Sequence, residues 1–242
     1  IPLVYDDLAA YTGALPYEDP NGDETLWLTV FYPPEEMVVL REKLTKIYAA
    51  LKIGGDSTLH EHLVVDRIDL GEFGNSRPYR IKITNQFNDN SDYYYVKTAD
   101  ASRVYGLELE HILSPNRINY LVNGNTLIED HVAGVPGDVF LENNLQGEAL
   151  NEVRIAKEFV KFNERCMIRL LGDMRSYNYV IVPTHDFDHV VYKIRAIDFD
   201  QQCYEGKFNV YRPQFFKENL KMVELVSEKF QKESIDQYKI EE

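Results

Sequence analysis

The sequence predicts an α+β protein built in two parts, and three observations carry that prediction. Residues 63–98 hold three runs rich in β-branched and aromatic residues, LVVDRIDL, PYRIKITN and DYYYVKTA. Residues 148–171, EALNEVRIAKEFVKFNERCMIRLL, place apolar side chains at helical spacing. Between these two textures lies AGVPGD at 133–138, which reads as a hinge.

The elements follow in order. The first 24 residues, with PYEDPNGDE at 16–24, are turn-rich and acidic, and TLWLTVFY at 25–32 then reads as a strand that Pro33 and Pro34 end. EEMVVLREKLTKIYAALKI at 35–53 is a helix with acids in its first turn, an apolar set of Val39, Leu40, Leu44, Ile47, Tyr48 and Leu51, and Gly54 and Gly55 as its stop. The three β-rich runs form an antiparallel meander, broken by GEFGNSR and QFNDNSD. ASRVYGLELEHIL at 101–113 is a helix with Asp100 or Ser102 as N-cap and Tyr105, Leu109 and Ile112 on its inner stripe. RINYLVNG and NTLIEDHV are two strands joined by an Asn-Gly hairpin turn. After the hinge, the long helix packs through Leu150, Val153, Ala156, Phe159, Val160, Met167 and Leu170. YVIVP and VVYKIRAID form a hairpin around THDFDH at 184–189, and PQFFKENLKMVELVSEKFQ closes the chain as one amphipathic helix.

Composition excludes several classes. A chain of 242 residues with a formal net charge of -14 repels phosphate backbones and anionic lipid, so neither nucleic-acid binding nor a membrane surface is expected. No apolar run reaches the roughly 18–20 residues of a membrane span, and the opening IPLVYDDLAAYTG lacks the basic start of a secretory signal. Cys166 and Cys203 are too few for a disulfide framework or a zinc site, which points to a reducing, cytoplasmic setting.

The candidate chemistry lies in LLGDMRSYNYVIV at 170–182, where a polar knot separates an apolar helix from a strand, and in the AIDFD that ends the following hairpin. Asp173 is followed five residues later by the amide Asn178, and Asp198 and Asp200 flank Phe199. Spacing alone is weak, because Asp138 and Asn143 in DVFLENN repeat it; context selects the 173–178 copy. In the first half, YYYVKTAD sets Lys97 near a strand end, LGEFGNS sets Gly71 and Gly74 between two strands, and IEDHVAGVPGD leads into the hinge.

In that order these motifs resemble the protein-kinase-like superfamily, which takes in protein kinases, aminoglycoside-type phosphotransferases, lipid kinases and toxin-type kinases. The resemblance covers residues 63–230. It implies a two-lobed fold, a small antiparallel β lobe with one helix (63–134) and a compact, mainly helical lobe (135–242); the α/β extension that precedes it (1–62), outside the resemblance, either extends the small lobe or holds a protein partner. It implies ATP and Mg²⁺ as cofactors and transfer of the γ-phosphate to a hydroxyl of a small molecule, lipid or protein. Such transfer rests on positioning and electrostatics. Asp173 would orient or deprotonate the acceptor, Arg175 would meet the γ-phosphate, and Asn178, Asp198 and Asp200 would face the metal. Lys97 would pair with the α- and β-phosphates and with a helix glutamate, Glu108 before Glu110. Gly71 and Gly74 would cover the phosphates, and the backbone around Val132, from His131 to Ala133, would meet adenine.

The pattern also departs from the family. No His-Arg precedes Asp173, Asp200 stands in place of the glycine of Asp-Phe-Gly, and no Ala-Pro-Glu segment follows. These departures favour a compact, atypical kinase, and they leave open a non-catalytic kinase-like module that binds nucleotide or a partner. Nucleotidyl transfer on the same fold is a further alternative. HEH at 60–62 and HDFDH at 185–189 suggest a metal-dependent hydrolase instead, while the zinc-deaminase pattern lacks its Pro-Cys-x-x-Cys.

Overall fold

The computed structural model describes residues 2–53, 62–114, 116–143, 145, 150–186, 189–204 and 206–242, with backbone alone at 53, 185, 186, 189 and 208. The protein is a mixed α+β chain with a large antiparallel sheet and several helices. It divides into two compact units, Ile1–Asp100 with Arg117–His131, and Ala101–Asn116 with Val132–Glu242. Among the described residues no helix is long and apolar enough to cross a membrane.

The first unit is a sheet that, among the described residues, has seven strands: β1 (Gly13–Glu18), β2 (Glu24–Phe31), β3 (Leu63–Gly71), β4 (Tyr79–Asn85), β5 (Ser91–Thr98), β6 (Tyr120–Asn123) and β7 (Thr126–Asp130), in the order β1-β2-β3-β4-β5-β7-β6. Residues 1–62, expected as an extension, give this sheet β1 and β2 and its covering helix α1 (Pro34–Ile53). Leu40, Leu44, Ile47 and Leu51 of α1 share one core with Val65, Ile68, Leu70, Ile81, Ile83, Tyr94 and Val96. The expected helix stop, Gly54 and Gly55, lies outside the described residues.

A bulge makes that core possible. Pairing shifts between Val65↔Ile83 and Arg67↔Lys82, so Asp66 is the extra residue. Strict alternation would put Arg67 and Asp69 on the same face as Val65; the bulge turns Ile68 and Leu70 inward instead. Arg67 and Asp69 then meet on the opposite face, where the buried Asp69 accepts from Arg67 Nε at 2.8 Å, Arg80 Nη2 at 2.8 Å and Thr29 Oγ1 at 2.8 Å. The Arg80 guanidinium lies 4.3 Å from the Trp27 ring centre, a cation–π contact. The N-terminal turn-rich reading is corrected here: GALPYE is the edge strand β1, and an edge tolerates Pro16 because its missing N–H costs no ladder bond.

In the second unit α2 (Ala101–Leu113) and α4 (Glu152–Arg169) join a small sheet of β8 (Val135–Pro136), β9 (Tyr179–Asp186) and β10 (His189–Ala196), ordered β10-β9-β8. The expected hinge therefore contains β8 and the start of α3 (Gly137–Asn143), and the expected turn at 184–189 is largely strand. Gly137 is required where it stands, since a Cβ there would lie 2.3 Å from Ser176 O and from the Tyr179 ring. The closing helix, expected over 213–231, is α-helical only as α5 (Leu220–Lys229), after short 3-10 turns at Pro213–Phe215 and Lys217–Asn219, and a further helix that was not expected, α6 (Lys232–Glu241), follows extended backbone at Phe230.

The inner face of α2 differs from the expected one. Tyr105 and Ile112 are exposed, and the buried residues are Arg103, Gly106, Leu107 and Glu110. Glu110 pairs with Arg169 at the end of α4, while Glu108 faces solvent. An ion pair this buried loses hydration on both partners, so its presence fixes the register of α2 against α4 more than it adds stability.

Candidate functional site

The polar loop begins where α4 ends. Leu170 adopts a left-handed cap (φ 53°), and its N–H bonds back to the Met167 carbonyl at 3.3 Å. Leu171 then bridges to Gln202, and Gly172 N–H donates to Gln201 O at 3.1 Å. Only glycine fits at 172, because a Cβ would stand 2.7 Å from Val210 Cγ1. Asp173 is itself left-handed (φ 52°), a conformation costing a non-glycine residue roughly 1–2 kcal/mol.

Four bonds hold Asp173 there. Its N–H donates to Val210 O at 3.2 Å; its carbonyl accepts from Arg175 N at 2.8 Å and from Asn178 Nδ2 at 2.7 Å; and its Oδ1 accepts from Arg175 Nε at 2.9 Å. Met174, Ser176 and Asn178 are buried, while Asp173, Arg175 and Tyr177 keep solvent contact. The alternation explains the polar knot: every second residue anchors the loop, and those between present an acid, a base and a phenol.

Asn219 is the anchor from below. Fully buried, it donates from Nδ2 to Met174 O at 3.0 Å and to Pro213 O at 2.8 Å, and its Oδ1 accepts from Tyr179 OH at 2.7 Å. The neighbouring Glu218 accepts from Arg175 Nη1 at 2.7 Å. The hydrogen bonds it donates to Asp173 and Glu218 hold the Arg175 guanidinium above its ordinary range, and a bond from its own amide, with that from Arg175, holds the Glu218 carboxyl below its own.

The acidic segment docks beside this loop. Ile197 N–H donates to Asn178 O at 3.0 Å, so Asp198 directly follows a residue bonded to the loop. Phe199 is buried against Gly106 of α2, whereas Asp198 and Asp200 are partly exposed. The Arg103 guanidinium reaches both acids, 4.0 Å from Asp198 Oδ1 and 3.6 Å from Asp200 Oδ2.

One unit thus joins Asp173, Arg175, Asn178, Asp198 and Asp200 through direct and backbone bonds. The repeat at Asp138 and Asn143 lies on α3, where Asp138 Oδ1 accepts from Val139 N at 2.9 Å. In the first unit, Lys97 on β5 pairs with Glu129 of β7 at 2.5 Å. Gly71 closes the β3–β4 connection, with its N–H on Pro78 O at 2.8 Å, and Gly74 takes a positive φ of 71° within it. A cavity of about 620 Å³ in this unit is lined by Tyr48, His62, Phe87 and Asp92 among others; His62 belongs to the HEH motif, and none of the lining residues belongs to the kinase-like set. Val132, in the second unit, is buried.

For a metal, the donor set is hard oxygen. The Asn178 Nδ2 is committed to Asp173 O, which leaves Oδ1 as the atom that could face a metal. Oxygens of this kind, with the carboxylates of Asp198 and Asp200, are the type that Mg²⁺ takes. Among the described residues no group of three or more His, Cys, Asp or Glu could hold a metal ion. The histidine motifs fall largely outside the described residues: His60, Glu61, Phe187 and Asp188 are not described, and His62 stacks on Phe87 with ring centres 3.9 Å apart.

Sequence reasoning missed Arg103, Gly106, Glu218 and Asn219. A glycine in the middle of a helix was the one available signal.

No family model matches the chain, and no curated protein matches it. Among solved structures, one described as "Crystal structure of Rad53 kinase domain and SCD2 in complex with AMPPNP" is similar over 49% of this chain at 15% identity and a TM-score of 0.31. The chain spans 46% of that protein's length, so the likeness is partial.

Proposed function

We propose that the chain is an atypical, two-lobed kinase-like phosphotransferase that uses ATP and Mg²⁺ to phosphorylate a hydroxyl acceptor. The observation that carries this reading is the bonding of the 173–178 loop to the 197–202 segment, which holds an acid, a base, an amide and two further acids in one unit. The partly exposed carboxylate of Asp173 takes the proton of the acceptor hydroxyl. Asn178, Asp198 and Asp200 would hold Mg²⁺, which would supply charge neutralisation for the phosphates. Arg175 offers guanidinium N–H groups to the transferring phosphate. The acceptor is a small molecule, a lipid or a protein side chain.

The test is transfer from γ-labelled ATP with Mg²⁺ by the purified chain. Label on the chain or an added acceptor, lost in Asp173→Asn and Asp198→Asn but kept in Asn143→Ala, supports the reading. Transfer from α-labelled ATP points to nucleotidylation instead. A chain that binds no ATP overturns every version.

A second reading is favoured by Arg103. A buried guanidinium beside Asp198 and Asp200 supplies positive charge where a metal would otherwise do so. On this reading the chain is a non-catalytic kinase-like module that binds nucleotide or a partner. ATP binding that persists unchanged in EDTA, without γ-phosphate transfer, would select it.

A further inference from the structure

We infer that Glu218 is a positioning residue that acts through Arg175 to aim the Asp173 carboxylate, an inference that rests on the phosphotransfer reading. Three side chains form a line: Glu218 Oε1 accepts from Arg175 Nη1 at 2.7 Å, and Arg175 Nε donates to Asp173 Oδ1 at 2.9 Å. The guanidinium is therefore gripped at both ends. Its plane is set by Phe216, whose ring centre lies 5.1 Å from Cζ.

The Glu218 carboxylate takes a hydrogen bond from its own backbone amide as well as from Arg175, and its second oxygen, Oε2, is buried without a hydrogen-bond partner among the described residues. Its chain neighbour Asn219 is fully buried and bonded to the Met174 carbonyl, so the two residues grip the loop at consecutive positions, one by its backbone and one through Arg175. The Asp173 backbone is fixed independently, by Val210 O and Asn178 Nδ2. What Glu218 controls is thus the direction of the Asp173 side chain rather than the shape of the loop.

Arg175 alone would not achieve this. An arginine about one third exposed retains rotamer freedom, and paired with Asp173 only it could follow the carboxylate wherever it swings. A second carboxylate on the opposite end turns a mobile pair into a fixed one. When Arg175 turns N–H groups to a phosphate, Glu218 still holds Nη1 and keeps the guanidinium in register with Asp173.

Glu218→Gln keeps shape and removes charge, and two readouts separate the inference from the reading beneath it. The Arg175 Nε–H resonance in ¹⁵N NMR is expected to be protected in the wild type and to exchange at least about tenfold faster in the variant. The kcat for γ-phosphate transfer is expected to fall about tenfold, while KM for ATP changes less than about twofold. Arg175→Lys, which lacks Nε and the fork, is expected to lose at least as much kcat, and Glu218→Gln to add no further loss on top of it. An unchanged Arg175 resonance in Glu218→Gln, or additive losses in the double variant, overturns the inference alone. A wild-type chain that transfers no phosphate overturns the reading, and with it any catalytic duty for Glu218.

Discussion

Phe199 rests on Gly106: a Cβ at 106 would stand 2.8 Å from the Phe199 Cβ and 2.9 Å from its Cδ1. The contact ties the middle of α2 to the residue between Asp198 and Asp200. Gly106→Ala sets two effects against each other. Alanine gains about 1 kcal/mol in helix propensity, and forcing a methyl group into a full site costs about 1–3 kcal/mol. The net expected outcome is a loss of about 1 kcal/mol in urea unfolding, with ATP-dependent activity reduced more than stability because Asp198 moves with Phe199. A variant as stable and as active as the wild type sinks this account.

Asn219 makes three side-chain bonds from a fully buried position. Asn219→Ala strands the Tyr179 hydroxyl and two carbonyls, each unmet group costing about 1–3 kcal/mol. The expected loss is about 3 kcal/mol or more by chemical denaturation. Asn219→Asp removes both donors and sets a carboxylate oxygen against the Met174 and Pro213 carbonyls in a fully buried site, so a loss at least as large as that of alanine is expected. Equal stability of both variants with the wild type would show that the anchor is dispensable.

What the sequence revealed and what it concealed follow one physical rule. β3, β4 and β5 were legible because their inward residues are apolar and alternate, and the 173–178 loop was legible because its acid and amide lie within five residues of each other. The buried face of α2 was not, since it is made of Arg103, Gly106 and Glu110, residues that a hydrophobic count assigns to the surface. β1 was hidden by Pro16, which only an edge position excuses. α6 was hidden by a low apolar content. Glu218 and Asn219 could not be found from spacing, because their partners, Arg175 and Met174, lie more than 40 residues away in the chain.

The two cysteines sit in opposite surroundings. Cys166 is buried in α4, and burial pushes its thiol up to about 12, whereas Cys203 is exposed. One thiol per chain is expected to react promptly with a thiol reagent in native buffer, lost in Cys203→Ser, with Cys166 reacting only on unfolding. The linkage runs the same way. A raised folded value favours the protonated thiol, so its contribution is complete below the ordinary thiol range and declines as pH rises toward about 12. Alkaline unfolding delayed in Cys166→Ala relative to other core variants would reveal that contribution; rapid labelling of both thiols in the native chain contradicts it.

The last helix is held by charge. None of the α6 residues is buried, and Lys157, Lys161 and Arg165 stand along one stripe of α4 facing Glu241 and Glu242. Lys157 Nζ lies 4.2 Å from the Tyr238 ring centre, and Arg165 Nη1 lies 2.8 Å from Glu242 Oε1. Contacts of this kind weaken as salt screens them, while the apolar packing of α4 on β10 and α5 does not. Amide exchange in residues 232–241 is therefore expected to accelerate severalfold between low and high salt, with exchange in α4 unchanged. Lys157→Glu with Lys161→Glu is expected to reproduce the fast exchange at low salt, and adding Glu241→Lys, which leaves Glu242 on Arg165, to restore protection. Salt-independent exchange, or a charge swap that fails to restore it, would mean that α6 is held by packing after all.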